Sequence, residues 1–258
     1  MLKLSIMAGK TDSPLTNHGI LQIQHLATHF RAAQIRFTHV FSSDLQRAVA
    51  TAEGICETQQ RVDQAPQMIT TALLQERDFG SWEGVTFKRH TSLETTHRAG
   101  ETITATGPAE TELAMRGRVN TFLLQYFLPA LRGAAADDDD DYQAIAIVAH
   151  GVILRVLWTC LVEALSPLDV HYRCSSSTLE SAAAVNPHWS NTGYMELSIR
   201  PRVKDTSSSR GSIAVLSINN TTHLRDLRRT GGGIGSSAHD GRQRSIASYF
   251  TAARQAEK

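Results

Sequence analysis

The sequence predicts an α/β fold in which helices cover both faces of a mainly parallel sheet, and three observations carry that reading. The run Ile145-Ala146-Ile147-Val148-Ala149 ends in His150-Gly151 and passes straight into an apolar-periodic segment, the pattern of a buried strand feeding a helix. Val40-Phe41 leads through Ser42-Ser43-Asp44 into a second segment of the same kind. Two alternating segments, 193–199 and 212–218, follow as late strands. In an open parallel sheet ligands bind beyond the carboxyl ends of the strands, so His150 stands where a titratable imidazole does chemistry.

In chain order, Thr16 is placed to cap a first helix, with Pro14 just ahead and Ile20, Ile23, Ala27 and Phe30 recurring at helical spacing. After the Val40-Phe41 strand, the Ser42-Ser43-Asp44 turn opens a helix with Leu45, Ala48, Val49, Ala52, Ile55 and Cys56 on one face. Glu76 to Gly84 sets glycines and close charges beside Phe79 and Trp82, the composition of a shaped loop that walls a site. Residues 85–110 are polar and threonine-rich, and Glu112 to Leu131 form a long helix with Phe122, Leu123, Tyr126 and Phe127 facing inward. The stretch 85–132 reads as a cap insertion. Asp137 to Asp141, within 133–142, form a solvated acidic loop, since adjacent like charges repel and cannot be buried unpaired. No mixed ligand spacing accompanies these aspartates, so no metal is expected there. Leu154, Leu157, Trp158 and Leu161 continue as an apolar helix, and beyond Leu224 the apolar period is lost, so 225–258 reads as a disordered basic tail.

Composition narrows the class. With 258 residues, ordinary apolar content and a formal net charge of +1, the chain suits one sizeable domain, 1–224, followed by that tail. Cys56, Cys160 and Cys174 are odd in number and widely spaced, which suits reduced thiols in an intracellular protein, cytoplasmic or nuclear. No apolar run approaches the roughly 20 residues a bilayer span needs, so no membrane partner is expected. Near-neutral charge gives no case for direct nucleic-acid binding.

Four separated pieces then align. They are Asp12-Ser13-Pro14-Leu15-Thr16 with Gly19, Ser42 to Ala48 with Thr51-Ala52, Leu74-Gln75-Glu76 with Gly80 and Trp82-Glu83-Gly84, and Ala149-His150-Gly151. In this order they resemble the histidine phosphatase superfamily, the phosphoglycerate-mutase-like fold, over roughly residues 8–224. The resemblance implies a three-layer α/β/α sandwich and phosphomonoester hydrolysis through a phosphohistidine. It implies no cofactor, and a small phosphorylated substrate or phosphoprotein as partner. In-line attack on a phosphomonoester needs positive donors around the equatorial oxygens and an acid for the leaving oxygen. By the resemblance Arg47 clamps phosphate with its planar fork and Glu76 is the general acid. The resemblance likewise implies that His150 hydrogen-bonds the transferring group and that Ser42 and Gly151 add hydroxyl or backbone donors. The plainer alternatives are a surface Arg47 and a Glu76 paired with Arg77 or Arg47.

The resemblance also implies a nucleophilic histidine in an Arg-His-Gly motif at the end of the first strand, and that motif does not occur in this sequence. The first strand is then truncated or replaced. His18, at the start of the first helix, has no strand before it to fix its ring and reads as a surface residue. Two expectations follow: an amino-terminally shortened form of an active phosphatase, or a chain whose phosphate pocket does not turn over. In the tail, Gln243, Ile246, Tyr249 and Phe250 resemble a PCNA-interacting (PIP) box, the sliding-clamp ligand of replication and repair proteins. The same aromatic spacing also fits a helical stripe docking on the chain's own domain.

Overall fold

The computed structural model describes residues 5–6, 8–59, 65–84, 86–87, 107–134, 144–165, 169–172, 187–200, 212–228 and 234–240. The acidic run 137–141, Cys174 and the clamp-like box at 243–250 lie outside these residues. The first element, β1 (Ser5–Ile6), is followed by α1 (Asn17–Ala32), β2 (Phe37–Ser43), α2 (Gln46–Glu57), β3 (Gln67–Thr71) and β4 (Thr86–Phe87). Then come α3 (Glu112–Phe122), a π-helical turn at Leu123–Phe127, α4 (Leu128–Ala134), β5 (Ala144–Val148), α5 (Gly151–Ala164), β6 (Asp169–Tyr172), β7 (Tyr194–Arg200) and β8 (Ser212–Asn220).

The central sheet is parallel, with β2 between β3 and β5. Its register turns sequence alternation into two apolar faces. Val40 lies beside Met68 and Ala146, and these side chains pack with Leu26, Phe30, Ala52 and Ile55 of α1 and α2. Phe41 lies beside Ile69 and Ile147, and they pack with Met115, Val119, Phe122, Ile153 and Leu157 of α3 and α5. Three layers result because a strand's successive side chains point to opposite faces and both faces here are apolar.

The first strand departs from the parallel sheet: β1 is two residues long and pairs antiparallel with β4. A second sheet has the order β6-β8-β7, with β7 antiparallel to β8 as the alternating late segments predict. It joins the core through Trp158, Val215 and Leu197.

Several local expectations are corrected. Ser42 and Ser43 end β2 and do not open the next helix, whose N-cap is Leu45. The Ser43 hydroxyl accepts from Leu45 N at 3.3 Å, and Asp12 of a distant segment accepts from Gln46 N at 2.7 Å. A capping side chain therefore comes from outside the local sequence. β5, expected to be buried, is half-buried along its length, because among the described residues it pairs on one edge only. The long helix from Glu112 is interrupted by the π-helical turn, in which Leu128 N–H reaches back to Leu123 O. Pro129 explains the wider turn, since it has no N–H to return to Gln125 and its ring would crowd that carbonyl. This helix is a layer of the core, with Val119 and Phe122 fully buried.

The tail is not structureless throughout. A 3-10 turn at Ile234–Ser236 leads into an antiparallel bridge between Ala238 and Thr16. Asn17 N donates to Ser237 O at 3.1 Å and His239 N to Leu15 O at 2.7 Å, so this stretch docks on the start of α1. Backbone groups that α1 leaves unpaired at its first turn explain why a polar segment can bind there.

Three imidazoles tie α1 to the second sheet. His29 Nε2 lies 2.9 Å from the Tyr194 hydroxyl, His25 Nδ1 lies 3.1 Å from His223 O, and the His29 and His223 rings are 5.9 Å apart. Burial, together with His29 and His25 nearby, pushes His223 down to about 4. Its unfolded value is near 6.5, so the unfolded chain binds the proton first and stability is lost as pH falls from about 6.5 toward 4. Urea unfolding at pH 7 and pH 5 should show this loss, and His223→Gln should flatten it; an unchanged pH dependence in the variant would assign the loss to other groups.

Candidate functional site

Three chemically distinctive residues follow the carboxyl ends of the three parallel strands. Arg47 stands in the first turn of α2 after β2, Glu76 follows β3 by a short 3-10 turn, and His150 is the N-cap of α5, two residues beyond β5. Parallel strands in register end at one edge of the sheet, which brings together residues that are far apart in the chain.

Arg47 and His150 meet directly. Arg47 Nε donates to His150 Nδ1 at 3.2 Å. An imidazole whose Nδ1 accepts carries its proton on Nε2. Nε2 of His150 is buried and has no protein partner. Burial is the main reason that the His150 pKa falls to about 3, with Arg47 and then Arg118 adding to it. The ring is therefore neutral at pH 7 and offers one N–H. Gly151 opens α5 next to it, and a Cβ on Gly151 would meet no other part of the protein within 4 Å.

The rest of the Arg47 guanidinium faces the amino-terminal segment. Nη1 donates to Thr11 O at 3.0 Å, Nη2 to Gly9 O at 2.5 Å, and the Asp12 carboxylate lies 3.6 Å from Nη1. Burial lowers its pKa while Asp12, Glu76 and Glu83 oppose the shift. A guanidinium stays charged despite such a shift.

Glu76 is buried, at 8% exposure, and pairs with neither Arg47 nor the Arg77 side chain. Its Oε1 accepts from Arg77 N at 2.9 Å and Ile153 N at 3.1 Å, and its Oε2 from Val152 N at 3.1 Å. The carboxylate thus caps α5, where unpaired amides and the helix dipole both favour negative charge. Trp82 is 46% exposed and does not enclose it.

Ser42 is buried, but its hydroxyl donates to Ser43 O at 2.9 Å and makes no bond to Arg47 or His150. His18 lies half-buried in the first turn of α1 and takes no part in the bonds around Arg47 and His150. Both described cysteines are free thiols, and burial raises the pKa of each, which fits inert core positions. Among the described residues no group of three or more His, Cys, Asp or Glu side chains could hold a metal ion, and no helix is long and apolar enough to cross a membrane.

Sequence reasoning missed Arg118 and its partner Glu110. Arg118 Nε and Nη2 bond the two Glu110 oxygens at 2.8 and 3.0 Å. Arg118 also donates to the carbonyls of Leu73, Gln75 and Glu76. This guanidinium holds the loop that carries Glu76. Glu110 also binds the other side of that loop, accepting from Asp78 N. Gly80, at φ +55, lets Ser81 N reach Gly107 O, a turn at which a Cβ would strike that carbonyl. The signal available in sequence was a carboxylate and an arginine eight residues apart at the start of an otherwise apolar-faced helix, which by itself reads as surface charge.

Fold and site together define a doubly covered α/β protein whose parallel strands end at a polar Arg–His constellation. The profile of the histidine phosphatase superfamily (branch 1) matches residues 3–183, and the chain belongs to that superfamily. It is 27% identical over 241 residues to fructose-2,6-bisphosphatase TIGAR B of Danio rerio, covering 85% of this chain and 89% of that one. It is also 27% identical over 187 residues to the probable phosphoglycerate mutase GpmB of Proteus mirabilis, covering 72% and 81%. Among solved structures, the fold is shared with the mycobacterial glucosyl-3-phosphoglycerate phosphatase at a TM-score of 0.56 and 20% identity, covering 85% of this chain and 94% of that one. The alpha-ribazole phosphatase from Shigella flexneri gives 0.53 and 21%, covering 84% and 89%.

The Arg47–His150 contact yields a direct expectation. An NMR pH titration should find the His150 ring neutral down to about pH 3. In Arg47→Met its pKa should rise, because a neighbouring cation is removed, yet stay below 6.5 because the ring remains buried. An unmoved value would mean that the two side chains do not interact in solution.

Proposed function

We propose that this chain binds the phosphoryl group of a small phosphomonoester at Arg47 and His150, and that it does so without forming a phosphohistidine. The observation that carries the reading is the Arg47 Nε to His150 Nδ1 hydrogen bond of 3.2 Å. It leaves the buried Nε2–H without a protein partner, as a donor for an anionic oxygen. The same bond argues against His150 as nucleophile, since its Nδ1 lone pair receives the Arg47 N–H and its Nε2 carries the proton. Among the described residues no other imidazole bonds to Arg47, His150 or Glu76. Family membership supports a phosphorylated substrate, and the names of the relatives, all acting on phosphate esters, support the same class.

Glu76 is proposed as the carboxyl on the side of the bridging ester oxygen, on the strength of its position after β3 at the same sheet edge. Ser42, fully buried and paired with Thr70 and Val148 in the sheet, with its hydroxyl bonded to Ser43 O, is assigned to the floor of the site and not to phosphate contact. Inorganic phosphate should bind with a Kd that Arg47→Ala or His150→Ala weakens by about tenfold or more, the scale of one lost charge-assisted hydrogen bond. Turnover of p-nitrophenyl phosphate should stay at background in all three proteins. Wild-type turnover with acid-trapped phosphohistidine would overturn the inactive reading, and phosphate binding indifferent to both substitutions would overturn the site.

A second reading concerns the tail. The docked segment 234–240 anchors the chain to α1, from which Gln243, Ile246, Tyr249 and Phe250 continue only a few residues on. We propose these residues as a ligand for a sliding clamp. Purified PCNA should be retained by the full chain and lost on Tyr249→Ala/Phe250→Ala; equal retention would exclude the box.

A further inference from the structure

We propose that Glu83 is a positioning residue that holds Gly9–Asp12 across Arg47, so that the chain occupies its own anion site and a phosphoryl group enters only when this segment leaves. The proposal rests on the reading of Arg47 and His150 as a phosphate-binding pair and adds the control of access to it.

The segment is fastened on two sides. Toward α2 it presents oxygens: the carbonyls of Gly9 and Thr11 receive the two terminal nitrogens of Arg47, and the Asp12 carboxylate takes the first amide of the helix, Gln46 N. These acceptors stand where phosphate oxygens would sit on a guanidinium fork and a helix start. Toward the 79–83 loop it presents hydrogens. The consecutive amides of Gly9, Lys10 and Thr11 point at the Glu83 carboxylate at 3.1, 3.0 and 3.2 Å, and Phe79 N joins them at 2.9 Å. Successive amides converging in this way form a nest for an anion, and here the anion is a side chain of the same protein. One carboxylate therefore organises the backbone whose opposite face satisfies Arg47.

The fit is tight. Gly9 is buried, and a Cβ on it would lie 2.2 Å from both Arg77 O and the Glu83 carboxylate. Burial pushes the Glu83 pKa up, but the bonds from Phe79, Thr11 and Lys10 outweigh it and hold the group below the usual carboxylate value, so the lock persists at neutral pH. Glu76 engages the amides of α5 in the same manner. His150 Nε2 is left without a partner, and a single neutral N–H does not hold a phosphate. A phosphate dianion makes stronger bonds to Arg47 than two peptide carbonyls do, so it can displace them, but it must first break the Glu83 contacts.

The test uses inorganic phosphate and the full chain, with calorimetry for affinity and hydrogen–deuterium exchange for the segment. Glu83→Ala removes the acceptor, and Gly9→Ala leaves Glu83 intact while expelling the segment. Both should tighten phosphate binding by about tenfold, the scale of one or two charge-assisted bonds. Adding Arg47→Ala to either should abolish the gain. In the unaltered chain, saturating phosphate should speed amide exchange in the peptide spanning residues 9–11. Unchanged or weaker affinity in both variants, with no change in exchange, overturns the lock; if Arg47→Ala alone still abolishes binding, the phosphate site itself stands. Absence of phosphate binding in the unaltered chain and in both variants overturns the lock and the site together.

Discussion

The register of β2 between β3 and β5 is the constraint on which the rest of the molecule depends. It sorts Val40, Met68 and Ala146 onto one apolar face and Phe41, Ile69 and Ile147 onto the other. Helices before and after each strand must then cover both faces. The same register aligns the carboxyl ends of the strands, so the residues that follow them share one edge. Slipping a single strand by one residue would exchange its faces and also carry Arg47, Glu76 or His150 away from the others.

At that edge the governing feature is internal satisfaction of charge and hydrogen bonds. Asp12 takes the first amide of α2, Glu76 the first amides of α5, and Glu83 the amides of Gly9 to Thr11. Arg118, paired with Glu110, gathers three carbonyls of the loop that carries Glu76. Buried or half-buried polar groups require such partners, because an unpaired one costs on the order of 1–3 kcal/mol. The exception is His150 Nε2. A buried orphan donor at the edge where the parallel strands end is the feature that most favours a ligand.

Much of the fold was legible in the sequence for simple reasons. Thr16 caps α1, accepting from Gly19 N, because a short hydroxyl side chain before an apolar-periodic run has few better uses. Phe122, Leu123 and Phe127 face the core, and Leu113 and Leu124 do not, as helical spacing requires. Other elements were illegible because their cause lies elsewhere in the chain. Ser42-Ser43 resembled a helix start, yet the strand extends through them since β5 offers a ladder partner as far as Ser42 and β3 as far as Ser43. The docking of 234–240 on Leu15 to Asn17 could not be read from a polar, glycine-rich composition, because its bonds are main-chain bonds.

The sequence by itself determined two strand–turn–helix units, the apolar faces of the main helices, an arginine and a histidine just past two strand ends, and a glutamate in a shaped loop; that a third strand, β3, leads into that glutamate came from the structure. The properties read from the sequence are local: they follow from side-chain period and turn chemistry within a few residues. Only the tertiary structure decided that Arg47 touches His150 across 103 residues of chain, that Glu83 holds Gly9 across 74, and that Arg118 supports the Glu76 loop. These contacts depend on which strands pair, in which register, and on which face each loop returns, and none of those quantities is a property of the segments taken alone.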